Sequence, residues 1–156
     1  MKVFDISQEV FTCNVFPGDP SPEREIKLKI SDGAVCNLTA FNMCAHNGTH
    51  VDAPYHFIDN AKTIDEVDLD KFIGYAYVFE HEGDVKKEDA EAMIKTAKSA
   101  DERAAERILV KGKATVTKEA AEVFAAHKIK LFGNESQTVG PEDAPMAVHL
   151  IKYMRS

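Results

Sequence analysis

Two early stretches of the chain alternate apolar and polar positions with a period of two, the spacing of a strand with one covered face. The first is Lys2 to Ser7, with Val3, Phe4 and Ile6 apolar. The second, Glu25 to Ser31, sets Ile26, Leu28 and Ile30 on one side and predicts a half-buried strand. Asp32-Gly33 then predicts a hairpin turn, and Val35 to Met43 the returning strand. Between the two stretches, Phe16-Pro17-Gly18-Asp19-Pro20 is a dense turn signal. Later in the chain the pattern changes. Tyr75 to Glu80, Arg107 to Lys111 and Ile129 to Phe132 are short apolar runs of strand length, the last ended by Gly133. Between the first two, Lys87 to Ala100 carries Ala92, Met93, Ile94 and Ala97 near helical spacing, inside a charged amphipathic stretch from Lys86 to Glu106. Thr117 caps a second helix that runs to about His127. Pro141-Glu142-Asp143 opens a last one carrying Met146, Val148, Leu150, Ile151 and Tyr153. Strands followed by strand–helix alternation predict an α/β fold, a mixed sheet with flanking helices. No linker rich in Pro, Gly or Ser divides the chain, so residues 1–156 are expected to form a single domain.

Composition narrows the function. At 156 residues with 44% hydrophobic and 29% charged positions, the chain is of ordinary globular type. A chain of this size buries roughly 70% of its unfolded surface, enough for a core without disulfides. Nineteen basic residues against 26 acidic ones give a net charge of −7. An acidic chain without a basic stripe points away from nucleic acid and from anionic membranes. No apolar run approaches the roughly 18 residues of a membrane span, and the N-terminus lacks the apolar stretch of a signal peptide. Three cysteines, Cys13, Cys36 and Cys44, are an odd number without C-x-x-C spacing. Together these features predict a cytoplasmic protein in a reducing compartment.

The chemistry concentrates in His46-Asn47-Gly48-Thr49-His50-Val51-Asp52-Ala53-Pro54-Tyr55-His56-Phe57. Two imidazoles and a carboxylate stand as H-x-x-x-H-x-D, a donor set suited to zinc, manganese or ferrous iron. Gly48 and Pro54 disfavour a helix through this segment. In a straight strand His46 and His50 would lie roughly 13 Å apart, too far to share an ion. The chain must therefore bend, and Asn47-Gly48 is the pair that permits it. Beyond the bend, His50 and Asp52 point to the same side. Three ligands then converge with coordination positions left open, as in catalytic sites. His56 lies four residues past Asp52 and is placed to act as general acid and base. His81 and His127 read as ordinary solvated histidines. Cys44 reads as a buried inert thiol, and Asp65, Glu66, Asp68 and Asp70 as a solvated turn whose spacing does not match a calcium loop.

H-x-G-T-H-x-D-A-P-x-H-F, from His46 to Phe57, resembles the signature of the cyclase family that includes bacterial kynurenine formamidases and isatin hydrolases. Asp5-Ile6-Ser7 with Pro17-Gly18-Asp19-Pro20 is similar to the family's opening, and Arg107-Ile108-Leu109-Val110 to its middle strand. Gly133-Asn134-Glu135-Ser136-Gln137-Thr138-Val139-Gly140 and Val148-His149-Leu150 are similar to its late motif and following histidine helix. The resemblance implies a swivelling β/β/α-type domain and a metal-dependent hydrolase of N-formyl or cyclic amides. The foremost expectation is an arylformamidase that converts N-formylkynurenine to kynurenine and formate in tryptophan catabolism. It implies His46, His50 and Asp52 as metal ligands, with zinc as the divalent cation and manganese as the alternative. It implies His56 as the catalytic histidine. It assigns His149 to the active site, as a second-metal ligand in two-metal members and an active-site histidine in others. Asp19 and Gln137 are expected to contact the small-molecule amide substrate. The family's assembly implies a homodimer or homotetramer in which the N-terminal loop can reach a neighbour's site.

The chain departs from the family pattern at its end. Members usually continue past the late histidine with further strands, one carrying a glutamate that helps bind a second metal. Here seven residues follow His149, and Ala144 to Ser156 holds no carboxylate side chain. The expectation is a shortened member. Its alternative reading is a relative that keeps the fold as a binding or structural protein without catalysis.

Overall fold

The computed structural model describes residues 3–141, 143, 144, 148, 149 and 151. They divide into two compact units, 1–52 and 53–156. The first unit is built on an antiparallel pair, β1 (Glu23–Leu28) and β2 (Leu38–Asn42), with Glu23 opposite Asn42 and a register shift between Ile26 and Leu28. β1 stops short of the predicted Ser31. The Ile30 N–H donates to the Asn37 side chain at 2.9 Å, and a 3-10 turn over Ile30–Asp32 replaces the tight hairpin turn. The expected half-burial of this strand does not hold. Every β1 residue is exposed, and Ile26, Leu28, Leu38 and Phe41 remain 55%, 41%, 50% and 65% accessible. A two-stranded ribbon has no second layer of its own to lay over its apolar face. Nor do residues 3–7 form a strand. Asp5 Oδ1 accepts hydrogen bonds from both the Ser7 N–H and the Ser7 hydroxyl, at 2.9 and 2.6 Å, so a local side-chain turn competes with pairing.

The second unit holds the core. β3 (Tyr77–Glu80), β5 (Arg107–Lys111) and β7 (Leu131–Gly133) form a parallel sheet in the order β3-β5-β7, and β4 (Gly83–Val85) pairs in parallel with β6 (Ala114–Val116). α1 (Lys87–Ala100) connects β4 to β5, and α2 (Lys118–Ala126) connects β6 to β7. The α/β architecture with flanking helices is thus present. Its parallel and antiparallel pairs are spread over three sheets. β4 and β6, at three residues each, are too short to carry a readable period.

Capping fixes the helices where the residues predict. Asp89 accepts from the Lys86 N–H at 2.9 Å at the start of α1, and the Thr117 hydroxyl accepts from the Ala120 N–H at 3.3 Å at the start of α2. The amphipathic stretch to Glu106 is not one helix. Asp101 takes an extended conformation (φ −160°), and its carboxylate caps a separate 3-10 turn over Glu102–Glu106 by accepting from the Arg103 N–H. Met93, Ile94 and Ala97 of α1 pack with Ile108 and Val110 of β5 and with Ala120, Ala121 and Phe124 of α2. β5 is covered on both sides, which explains its unbroken apolar run. Of the predicted last helix, Val148, His149 and Ile151 have helical backbone, and Val148 joins the core. Met146, Leu150 and Tyr153 lie outside the described residues. Among the described residues no helix is long and apolar enough to cross a membrane.

Candidate metal centre

The bend between His46 and His50 is made by two hydrogen bonds and one left-handed residue. The Cys44 N–H donates to the Asn47 side-chain oxygen at 2.8 Å, and the Asn47 N–H donates back to the Cys44 carbonyl at 3.1 Å. Asn47 is only 2% exposed, so this side chain is an internal brace rather than a surface group. Gly48 follows at φ +67°, where a side chain is disfavoured. The Gln8 N–H donates to the Thr49 hydroxyl at 2.9 Å and ties the bend to the N-terminal segment. As a result the two imidazole rings lie edge to face with centroids 5.0 Å apart, far closer than a straight strand allows.

Asp52 completes the group. His46 Nδ1 lies 2.9 Å and His50 Nε2 3.5 Å from Asp52 Oδ1, and each of the three residues offers a donor atom within 4.8 Å of the others. Ligands around a tetrahedral ion with bonds of 2.0–2.1 Å sit about 3.3 Å from one another, so these spacings fit a shared cation. The side chains are 25%, 27% and 25% exposed, open on one side as an exchangeable site requires. His50 Nδ1 donates to the Gly48 carbonyl at 2.8 Å. That bond fixes the tautomer and leaves the Nε2 lone pair facing the group, the usual support for a ligating histidine. Hydrogen bonding to Asp52 raises the His50 pKa above the ordinary histidine value. Burial opposes this, while the Gly48 carbonyl and the charges of Asp52 and Asp19 add to it.

Asp19 therefore belongs to the same neighbourhood. The turn at Phe16–Asp19, closed by the Asp19 N–H to the Phe16 carbonyl at 3.0 Å, carries its carboxylate to the Cys44 thiol, which donates to it at 3.7 Å. Cys44 is half-buried and thus touches a predicted site residue. The brace residue Asn47 is the part that spacing did not reveal. As half of Asn-Gly it marks a turn, but its buried side-chain bond is visible only in three dimensions.

The remaining predicted residues lie in the second unit. Pro54 starts a 3-10 turn, Pro54–His56, whose His56 N–H donates to the Ala53 carbonyl at 3.0 Å. His56 meets the Phe57 ring edge-on at a centroid distance of 4.2 Å. His149, 7% exposed, stacks on the same phenyl ring at 4.0 Å with planes 18° apart. The structure thus gathers both histidines around Phe57. Gln137 is exposed on the segment after β7. That segment is fastened to β6, because the Asn134 amide and the Ser136 hydroxyl both donate to the Ala114 carbonyl, at 2.6 and 3.0 Å. The Asp65 run forms a capped 3-10 turn, Ile64–Glu66, with exposed carboxylates.

On this α/β fold, two imidazoles and a carboxylate lie within 4.8 Å of one another, a donor set of the kind that suits a divalent cation. Residues 4–141 match the family described as Putative cyclase, and the chain belongs to that family. It is similar to the kynurenine formamidase of Delftia acidovorans, 36% identical over 74 residues, which span 47% of this chain and 35% of that protein. It is also similar to the kynurenine formamidase of Erythrobacter litoralis, 26% identical over 162 aligned positions, covering 95% of this chain and 72% of that protein. The match thus spans about a third of the Delftia relative and nearly three quarters of the Erythrobacter one. A solved structure described as a potential metal-dependent hydrolase with cyclase activity superimposes with a TM-score of 0.74 at 18% identity, covering 99% of this chain and 77% of that one, and shares its fold.

Proposed function

We propose that this protein is a metal-dependent hydrolase of N-formyl or cyclic amides, arylformamidase-like in substrate. The observation that carries the proposal is the convergence of His46, His50 and Asp52 on one point. The names of the matched kynurenine formamidases support the formamide class. Zinc is the proposed ion and manganese the alternative, since two imidazoles and a carboxylate serve both. A divalent cation there supplies Lewis acidity, making water a nucleophile near neutral pH and stabilising charge that develops on the carbonyl oxygen.

The chain's own residues do the rest. His46, His50 and Asp52 hold the cation, with Gly48 orienting His50. His56 takes the proton of the attacking water on its imidazole and returns it to the leaving nitrogen. His149 serves as an active-site histidine, and Asp19 and Gln137 contact substrate. The influence of Asp19 on His50 supports its part in this reading. Net charge −7 supports a small-molecule substrate over nucleic acid or an anionic membrane, and the free thiols of Cys13, Cys36 and Cys44 support a cytoplasmic setting. We propose a homodimer or homotetramer as the working assembly. The exposed Ile26, Leu28, Leu38 and Phe41 on one hairpin support it.

His56→Ala tests the division of labour. Hydrolysis of N-formylkynurenine falls by about 100-fold or more while the bound metal is retained. Loss of metal from this variant, or undiminished turnover, would contradict the assignment.

A further inference from the structure

His46 sits inside the turn Cys44–Asn47, which is closed twice. The Asn47 N–H donates to the Cys44 carbonyl at 3.1 Å, and the Cys44 N–H donates to Asn47 Oδ1 at 2.8 Å. The second bond spends a side chain that is 2% exposed. The other end of the same amide gains nothing from its burial. Asn47 Nδ2 is shielded from solvent and has no hydrogen-bond partner among the described residues. A buried donor left unpaired is destabilising, and an apolar side chain of similar shape would avoid that cost. Asparagine is thus a poor residue for filling this space and a good one for accepting the Cys44 N–H.

We propose that Asn47 is a positioning residue for the metal centre, its Oδ1 locking the turn that carries His46 so that His46 faces His50 and Asp52 before any cation binds; the proposal rests on the cation reading above. Asn47 acts through the backbone on either side of His46. Fixing that backbone has an entropic cost. With the lock in place the cost is met when the chain folds, and a cation meets ligands already gathered. The gathered state is visible in the spacing of the three side chains, with His46 Nδ1 2.9 Å from Asp52 Oδ1 and the two imidazole centroids 5.0 Å apart. Without the Oδ1 bond, the turn keeps only the Asn47 N–H to Cys44 carbonyl bond, and His46 samples positions away from the group.

The test measures zinc affinity, by titration against a competing chelator, and the melting temperature of metal-free protein, for the parent, Asn47→Leu and Asn47→Ser. Leucine branches at the same carbon as asparagine but accepts no hydrogen bond. Serine keeps a neutral acceptor that makes the same kind of local turn bond, more weakly. Asn47→Leu weakens zinc binding by about 10- to 100-fold, the usual cost of losing a group that orients a ligand, and Asn47→Ser by no more than about fivefold. The metal-free melting temperature of Asn47→Leu stays within about 5 °C of the parent, because one unpaired group, the amide Nδ2, is exchanged for another, the Cys44 N–H. A loss of affinity below about 10-fold in Asn47→Leu overturns the proposal, as does equal weakening in the two variants. A larger fall in melting temperature marks a general stabiliser and overturns it too. In the metal-free parent, the bond to Oδ1 protects the Cys44 amide hydrogen from exchange with solvent. Exchange at the rate of an unstructured chain overturns the proposal even if Asn47→Leu does not fold. A parent that takes up no zinc overturns the cation reading and the proposal with it, a failure told apart from the others because it needs no variant.

Discussion

At the scale of single residues, the candidate metal centre carries a protonation balance that a bound cation would have to reverse. Asp52 and its neighbours raise the His50 pKa above the ordinary value of 6.5. Without metal the folded protein therefore holds the His50 proton more tightly than the unfolded chain does. The stability this contributes is complete below about pH 6.5 and is lost as pH rises through the raised folded pKa. Metal-free protein should thus melt at progressively lower temperature as pH climbs above 6.5, and His50→Gln should flatten that slope. Saturating zinc should invert it, because ligation requires His50 to shed its proton. A metal-free melting temperature that rises through this window, or a slope that His50→Gln leaves unchanged, would contradict the arrangement. The convergence of His46, His50 and Asp52 was readable from the chain. H-x-x-x-H-x-D needs a bend to close on an ion, and Asn47-Gly48 supplies it. What spacing could not show is that Asn47 braces the bend from inside, or that Phe57 spans two histidines. Both depend on where an otherwise unreactive side chain points.

At the scale of elements, the loop after the 3-10 turn Leu69–Lys71 is held to β5 by one buried side chain. Arg107, 4% exposed, donates to the Lys71 carbonyl at 3.1 Å, to the Tyr75 carbonyl at 3.4 Å and to the Asp70 carbonyl, and pairs with Glu106 at 3.2 Å. Lys130 adds bridges to Asp70 and Glu106 at 2.9 and 3.0 Å. Gly74 is required beside this cluster, because a Cβ there would run into the Arg107 guanidinium. Arg107→Met should cost about 2–3 kcal/mol, the loss of several charge-assisted bonds around a buried group. That corresponds to a fall of roughly 4–12 °C in Tm for a chain of this size, readable by thermal unfolding. A change of under about 1 kcal/mol would show that the loop holds without it. The arginine illustrates how element prediction succeeds and stops. Arg107 to Lys111 was legible as a strand from its apolar run, and so were both helices from their spacing and caps. The burial of the charge that opens the strand was not legible, because its partners are carbonyls more than 30 residues away in sequence. β1 shows the opposite failure. Its alternation is real, yet nothing within one ribbon covers Ile26 and Leu28.

At the scale of the whole molecule, family membership, fold and the grouping of His46, His50 and Asp52 all support the proposed cation-dependent hydrolase. The long His46–Phe57 motif made the family legible because it sets a donor set suited to a metal around the Asn47-Gly48 bend and the Pro54 turn. The division of the described residues into two units was not legible, since no change in composition marks position 52. The central claim, that His46, His50 and Asp52 together bind a divalent cation, is tested most directly by elemental analysis of protein stripped with chelator and reloaded with zinc or manganese. At least one tightly held ion per chain is expected, lost in His50→Ala while the fold is retained. A parent protein that takes up no ion, or a His50→Ala variant that binds as much as the parent, would contradict it.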